Sequence, residues 1–365
     1  MPLESHSKFY VAALVKKRLD RQQTKPFIIP VFIPHAGCPH RCVFCNQKAI
    51  AGDAAGTISI SAVQKQIRQY LTYRKKKHRR VQISFYGGNF LGLPRETIRS
   101  LLEEACGFIA PGQAQSIRFS TRPDTISPEK LELLSHYPVR TIEIGVQSMD
   151  DRVLAESERG HSAKDTEHAV GMLKDTSYEI GLQMMVGLPS DDRASTWATA
   201  RKIAAMAPDF VRIYPAVVLE NSRLAQWHAD GKFTPLTTEE AVQRVKKIYR
   251  LFQRLSIAVV RMGLQASEVL DAGSVLAGPY HPAFGHLVLS SIWLDRASAL
   301  LAGQKTAGGS AVFRVRPENI SRLRGQHNHN IQKLRQGFQL KTIAVIADEK
   351  MAEDTLRLDM EDVTY

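Results

Sequence analysis

Short apolar runs alternate with amphipathic segments of helical length along most of the chain. The runs predict strands over 27–34, 81–87, 116–122, 139–147, 179–187, 210–217 and 257–264. A helical period predicts helices over 61–77, 95–108, 128–135, 163–174, 196–205 and 238–255. Strands joined by helix-length connections are parallel, so the pattern predicts an α/β fold.

Each predicted strand has one apolar and one polar face. Residues 81–86 place Gln82, Ser84 and Tyr86 on one face, and residues 139–147 place Glu143 and Gln147 likewise. Helices must cover the apolar faces, which leaves the polar sets pointing into a barrel. Such a lining suits a wet cavity that holds a polar ligand. The alternative is an antiparallel sheet with one solvated face.

A glycine-rich stretch near 301–309 ends the main pattern. Beyond it we expect a strand over 312–316, a helix over 319–336 and a strand over 341–347. The chain is therefore divided into a basic N-terminal segment (1–26), a core barrel (27–265), a barrel-closing extension (266–302) and a small α/β appendage (303–365).

Composition adds a basic charge to this picture. The 365 residues carry 49 Lys and Arg against 36 Asp and Glu, a formal charge of +13. This excess fits a polyanionic partner such as RNA, although solubility alone also explains it. The basic runs at 74–80 and in the helix with Arg322 and Arg324 stand out, and the helix is the better candidate for RNA contact. With neither a secretory signal nor a membrane-length apolar run, we expect a cytoplasmic protein with no membrane partner.

Three of the four cysteines lie within eight residues, in the segment GCPHRCVFCNQ. Cys38, Cys42 and Cys45 have the spacing C-x3-C-x2-C, which wraps thiolates around one soft-metal centre. Three thiolates leave one position open on a [4Fe–4S] cluster. The alternative is structural zinc, with His40 or His35 as the fourth ligand. The fourth cysteine, Cys106, fits a small core residue.

The cysteine pattern, with Phe44 before the last cysteine, resembles the radical S-adenosylmethionine (SAM) superfamily. The resemblance implies a partial (β/α)6 TIM-like barrel with a [4Fe–4S] cluster held by Cys38, Cys42 and Cys45. It implies that SAM chelates the open iron and is cleaved reductively to a 5′-deoxyadenosyl radical, which abstracts a hydrogen from the substrate. A flavodoxin- or ferredoxin-type protein would donate the electron.

The same resemblance assigns cofactor-binding residues. Gly87 and Gly88 would bind the methionine amine through main-chain oxygens, and Asn89 follows where many relatives carry an acidic or hydroxyl residue. Glu143 and Gln147 would contact polar groups of SAM. Phe44 and Met185 would lie on the adenine side.

The catalytic candidates come from the strand pattern. Arg122 and Asp124 lie at the C-terminal end of the third strand, which faces the active site in barrels, and Tyr214 points inward on the sixth. A structural ion pair is the other interpretation of Arg122 and Asp124.

Within the superfamily, five segments resemble the catalytic subunit of the elongator complex and its short bacterial relatives, which lack the acetyltransferase domain. They are STRPD (120–124), EIGVQS (143–148), RGH (159–161), GLPSD (187–191) and RIYPAVVL (212–219). This resemblance implies a radical SAM enzyme that modifies tRNA or another RNA, and we expect no acetyltransferase domain. The alternatives are a radical SAM enzyme on a small molecule such as a tetrapyrrole, and a non-catalytic iron–sulfur or zinc protein.

Overall fold

The computed structural model of the chain describes residues 26–33, 37–46, 58–74, 80–264 and 273–361. The N-terminal basic segment through residue 25, most of the run at 74–80, and His35 lie outside these ranges.

The described strands are β1 (Phe27–Phe32), β2 (Val81–Tyr86), β3 (Ser116–Thr121), β4 (Val139–Gln147), β5 (Glu179–Val186), β6 (Phe210–Pro215), β7 (Val218–Leu219), β8 (Ala258–Met262), β9 (Val275–Ala277), β10 (Ser310–Val315), β11 (Thr342–Ala347) and β12 (Arg357–Glu361). The described helices are α1 (Ile60–Thr72), α2 (Arg95–Ile109), α3 (Pro128–Ser135), α4 (Asp151–Glu156), α5 (Ala163–Lys174), α6 (Arg193–Ala205), α7 (Arg223–Ala229), α8 (Thr238–Arg254), α9 (Phe284–Leu301), α10 (Ile320–Arg324) and α11 (His329–Gly337).

Seven strands form one sheet in the order β1-β2-β3-β4-β5-β6-β8. The pairs β1–β2, β2–β3, β3–β4 and β6–β8 are parallel. The α/β prediction is therefore confirmed, and the antiparallel alternative is wrong for these strands. Helix-length connections decide this, since parallel neighbours need a crossover.

The chain divides into two compact units. The first consists of residues 1–41, 46–146 and 160–182, and the second of residues 42–45, 147–159 and 183–365. In the first unit, Phe90 stacks between Phe85 and Phe119, with ring centroids 5.1 and 4.5 Å apart. These fully buried rings fix the turn after β2 against β3.

The second unit contains a three-stranded sheet in the order β11-β10-β12, in which β10 is parallel to β11 and antiparallel to β12. Trp293, Phe313 and Leu334 lie in its apolar cluster. The helix α9 was not predicted from the sequence. It is apolar on most of its surface and therefore lacks the amphipathic period that marks the other helices.

The single helix predicted over 319–336 is wrong. The structure has α10 and α11, separated by a turn in which Gly325, His327 and Asn328 have φ of 71°, 51° and 60°. A right-handed helix cannot continue through left-handed residues.

Among the described residues, no helix has both the length and the apolar character needed to cross a membrane.

Candidate functional site

The cysteine loop follows β1. Cys42 is buried, Cys38 and Cys45 are half-buried, and all three thiols are free of disulfides. The Cys45 N–H donates to the Cys42 carbonyl (3.0 Å), which closes a tight turn. Within the described ranges, no three His, Cys, Asp or Glu side chains are drawn together closely enough to hold a metal ion. The assignment of these three residues as ligands therefore rests on their donor chemistry and spacing.

Arg159 contacts the central cysteine of the loop. Its Nη1 donates a hydrogen bond to Cys42 Sγ at 3.3 Å, and Arg159 is only 7% exposed. The guanidinium thus places a positive charge and an N–H donor beside the sulfur of this cysteine. In the sequence, Arg159 stands out only as part of the RGH segment. Nothing in the pattern pointed to its contact with Cys42, which lies 117 residues earlier.

The main chain of the same loop is also fixed. The Val43 N–H donates to the Ser157 carbonyl (3.1 Å), and the Leu224 N–H donates to the Val43 carbonyl (2.8 Å). These two bonds hold the segment that carries Cys42 and Cys45 to the chain just before Arg159.

Asn89 fastens the start of the cysteine loop. Its Nδ2 donates to the carbonyl of Gly37 at 2.8 Å, one residue before Cys38. Its Oδ1 accepts from Thr121 Oγ1 (2.7 Å), Thr125 Oγ1 (3.0 Å) and the Arg122 N–H (3.0 Å). The main-chain partners fix the amide orientation, since the Gly37 carbonyl needs a donor and the Arg122 N–H an acceptor.

The fit at Gly37 leaves no room for a side chain. Its φ is 84°, and a Cβ would collide with the main chain of Asn89 and Gly92. Asn89 itself is 1% exposed. Both ends of its amide therefore bond to the protein.

Arg122 and Asp124 form a bidentate ion pair. Arg122 Nε donates to Asp124 Oδ1 (2.9 Å), and Nη2 donates to Oδ2 (3.0 Å). Arg122 is 2% exposed, and its Nη1 has no hydrogen-bond partner among the described residues. The structure thus brings the two predicted catalytic residues together and leaves one guanidinium nitrogen available to an anionic group.

The polar face of β2, β3 and β4 forms a buried ladder. Arg118 Nη1 donates to Glu143 Oε1 at 3.0 Å, and Arg118 Nε donates to Gln82 Oε1 at 2.8 Å. Glu143 is fully buried, and Tyr86 Oη lies 3.5 Å from it. The predicted cofactor ligand Glu143 is therefore paired with a cation on the neighbouring strand.

The end of β4 is strained. Gln147 has φ of 65°, although it is not glycine, and such conformations cluster at functional sites. Its Oε1 is buried with no partner in the part of the chain that the structure describes. Ser84 Oγ on β2 is in the same state. A buried polar atom without a partner is costly, so these atoms indicate room for polar ligand groups.

Phe44 and Met185 pack against one apolar cluster formed by Val153, Leu188 and Ala216. The structure thus brings together the two residues that the resemblance assigned to the adenine side.

The turn after β5 is held by Asp191. This carboxylate accepts from the Gly187 N–H (2.8 Å) and from the hydroxyls of Ser195 (2.5 Å) and Thr196 (2.7 Å). Burial raises the pKa of Asp191, and the three hydrogen bonds oppose this shift. Asp191 is the last residue of the GLPSD segment, and the sequence pattern predicted no role for it.

Tyr214 and Cys106 are the two remaining residues that the sequence singled out. Tyr214 on β6 has Arg212 Nη1 3.5 Å from its hydroxyl, so both lie on the same face. Cys106 is half-buried on α2, and burial together with the charge of Glu103 raises the pKa of its thiol. A raised pKa disfavours the thiolate, the form of cysteine that binds metal.

Two sequence profiles match the chain. The profile of the radical SAM superfamily matches residues 32–203, and that of the radical SAM C-terminal domain matches residues 208–293. The family implies a [4Fe–4S] cluster and SAM as cofactors. The observed residues fit both groups, because the loop offers three thiols that form no disulfide, with a guanidinium beside one of them. The unpartnered atoms of Ser84, Arg122 and Gln147 are suited to a polar ligand.

Relatives and structures agree with the profiles. An uncharacterized protein of Methanocaldococcus jannaschii is 26% identical over 82% of this chain and 91% of its own length. The tRNA uridine(34) acetyltransferase of Dehalococcoides mccartyi is 24% identical over 60% of this chain and 55% of its own length. The chain thus spans about half the length of such acetyltransferases. The structure of archaeal Elp3 from Methanocaldococcus infernus shares the fold, with a TM-score of 0.58 at 20% identity over 74% of this chain and 63% of that one.

The two matched profiles together cover more than two thirds of the sequence. The chain therefore belongs to the radical SAM superfamily of enzymes.

Proposed function

We propose that this protein cleaves SAM reductively at a [4Fe–4S] cluster held by Cys38, Cys42 and Cys45, and that it modifies tRNA. The observation that carries the proposal is the cysteine loop itself, which lies inside the matched superfamily region and has a guanidinium donating to Cys42. When bound, the two cofactors supply a carbon-centred radical that abstracts a hydrogen.

The residues of this chain bind and orient in this proposal. The main-chain oxygens of Gly87 and Gly88 receive the methionine amine, and Arg122 Nη1 is available for a negatively charged group. Gln147 Oε1 accepts a hydrogen bond from the ligand. Because Arg122 Nη1 and Gln147 Oε1 lack partners elsewhere in the described chain, ligand binding relieves their desolvation cost.

The ion pairs keep this binding surface in place. Arg118 holds Glu143 on β4, and Asp124 holds the guanidinium of Arg122. Phe44 and Met185 supply an apolar wall for a flat heterocycle. Tyr214 is a candidate for substrate contact on β6.

Transfer RNA is the proposed substrate because of charge and relatedness. The formal charge of +13 favours a polyanion, and the chain is similar to proteins named tRNA uridine(34) acetyltransferase and elongator complex protein 3. A cytoplasmic location accompanies this substrate, since tRNA serves the ribosome there. A flavodoxin- or ferredoxin-type protein is the proposed electron donor. Residues 27–265 would form the catalytic core, with 266–302 as its extension and 303–365 as the appendage.

The test is an anaerobic assay of 5′-deoxyadenosine. The full chain is reconstituted with iron and sulfide, reduced, and incubated with SAM, with and without bulk tRNA. We expect 5′-deoxyadenosine that increases with tRNA and disappears in Cys38→Ala. Cys106→Ala is the matched control, because it removes a thiol outside the loop and should leave the product unchanged.

Each other outcome counts against part of the proposal. Stimulation by a tetrapyrrole and not by tRNA would contradict the RNA substrate. A well-loaded cluster that gives no 5′-deoxyadenosine with either substrate would contradict the enzymatic role. Equal loss of product in Cys106→Ala would contradict the assignment of the loop.

A further inference from the structure

One surface of the second unit carries cations without acidic neighbours in sequence. Between Glu318 and Asp348 the chain contains no Asp or Glu. The same stretch contains Arg322, Arg324, Lys333, Arg335, Lys341 and two histidines. A continuous basic stretch of this kind attracts polyanions.

Three of these cations lie on α10 and α11 and are available to a partner. Arg324, Lys333 and Arg335 are exposed, and no described carboxylate lies within ion-pair distance of any of them. Nearby arginines are instead neutralised within the unit. Arg314 pairs with Asp359 at 2.8 Å, and Arg316 pairs with Glu318 at 2.7 Å.

Arg322 differs from its neighbours. It is half-buried, and its Nη1 donates to Asn319 Oδ1 at 2.8 Å. The basic pattern of the sequence predicted RNA contact for Arg322 as well as Arg324, whereas the structure gives Arg322 a partner inside the unit.

The turn between α10 and α11 presents four exposed polar side chains, Gln326, His327, Asn328 and His329. Two consecutive left-handed residues, His327 and Asn328, are held there at a cost in strain. Buried Asn330 anchors the turn, since its Nδ2 donates to Ser290 Oγ (2.9 Å) and to the Leu323 carbonyl (3.1 Å). Amide and imidazole groups held rigidly at a surface can hydrogen-bond base edges.

We propose that Arg324, Lys333, Arg335 and the turn 326–329 form an RNA-binding surface. The inference rests on the proposed function and names where the RNA backbone meets the chain. The three cations contact phosphates, and the turn lies beside unpaired bases. A membrane is disfavoured as the partner, because the exposed positions of α11 are His, Gln, Lys, Arg and Gly and offer no apolar face for insertion.

The test is a salt titration of tRNA binding by the reconstituted full chain. The variant is the triple substitution Arg324→Gln, Lys333→Gln and Arg335→Gln. Loss of three phosphate contacts should reduce the slope of log K against log salt by about 2 to 3, and weaken binding about tenfold or more near 0.1 M salt. Formation of 5′-deoxyadenosine without RNA should stay at the wild-type level, because none of the three residues belongs to the proposed cofactor site.

The matched control removes the same charge elsewhere. Lys164, Arg201 and Arg254 are exposed on α5, α6 and α8. Their joint replacement by Gln should leave the salt slope within about one unit of wild type. An equal loss in this control would overturn the inference, since net charge alone would then explain binding.

The remaining outcomes separate this inference from the proposed function. If the wild-type chain does not bind tRNA, the RNA substrate itself is wrong. If the wild-type chain binds and the triple variant keeps the full slope, the surface is wrong while the substrate stands. If the triple variant binds tRNA as the wild type does and loses only binding to vesicles of anionic lipid, the surface serves a membrane and the inference is overturned.

Discussion

The hydrogen bond from Asn89 to the Gly37 carbonyl can be tested by replacing one side-chain nitrogen with oxygen. In Asn89→Asp the side chain keeps its shape and an oxygen for the donors Thr121, Arg122 and Thr125. The only group lost is Nδ2, which donates to the Gly37 carbonyl at 2.8 Å. A carboxylate oxygen then faces that carbonyl, so a hydrogen bond becomes a repulsion.

The magnitude follows from burial. Asn89 is 1% exposed, so no solvent replaces the lost donor. Leaving a buried carbonyl unsatisfied costs about 1–3 kcal/mol. For a protein of this size that corresponds to a melting-temperature decrease of about 1–4 °C. If the full cost is released when the loop opens, iron loss to a chelator accelerates roughly 5- to 150-fold.

The assay combines thermal unfolding of the cluster-free chain with iron loss from the reconstituted one. Asn221→Asp is the control, because Asn221 is exposed and the substitution adds the same charge. We expect both quantities to change in Asn89→Asp and neither in the control. Unchanged melting temperature together with unchanged iron loss would refute the argument that Asn89 fastens the loop.

Three further predictions concern single residues. Arg159→Gln removes the cationic hydrogen-bond donor to Cys42 Sγ. Because this donor stabilises the reduced cluster, which carries the more negative charge, its loss should make the midpoint potential more negative by tens of millivolts in an EPR-monitored titration. Hydrogen bonds from Ser162 lower the pKa of Asp165, so this carboxylate stabilises the fold above about pH 4 and progressively less as the pH falls. Asp165→Asn should therefore lower the free energy of unfolding at pH 7 and change it little at pH 2, as measured by denaturant unfolding. Gly160→Ala places a Cβ against the ring of His40 at φ of 69°, and should lower the melting temperature and the iron content.

Each of these has a matched control. Arg152→Gln removes an exposed guanidinium on α4 and should leave the midpoint potential unchanged. Glu167→Gln removes an exposed carboxylate within α5 and should give no pH-dependent difference. Gly171→Ala meets nothing within 4 Å and should be neutral or stabilising. A control that changes as much as its partner variant would contradict the stated cause.

The sequence was most informative where chemistry is local. Spacing alone singled out Cys38, Cys42 and Cys45, and alternation predicted the strands of the parallel sheet to within a few residues. The polar face of β2 to β4 was also visible, because Gln82, Arg118 and Glu143 alternate with apolar residues.

Contacts between distant residues were not visible. The Asn89 amide reaches Gly37 across 52 positions, and no periodicity records such a bond. Likewise, apolar residues at helical spacing flank the turn on both sides, Ile320 and Leu323 before it and Ile331 and Leu334 after it, and they favoured one helix over 319–336. The turn at 325–328 depends on Asn330, which bonds to Ser290 forty residues away. At both places, hydrogen bonds between residues distant in sequence determine the structure, and the local sequence pattern does not reveal them.

The hydrogen bonds at both ends of the Asn89 amide affect how mutagenesis of the turn 87–89 would be interpreted. Both ends of the Asn89 amide bond to the protein, so in the proposed site the turn 87–89 offers a ligand its peptide oxygens. Substitution cannot delete a peptide oxygen. An alanine scan would therefore score Asn89 as essential and assign ligand recognition to a residue that only supports the neighbouring loop.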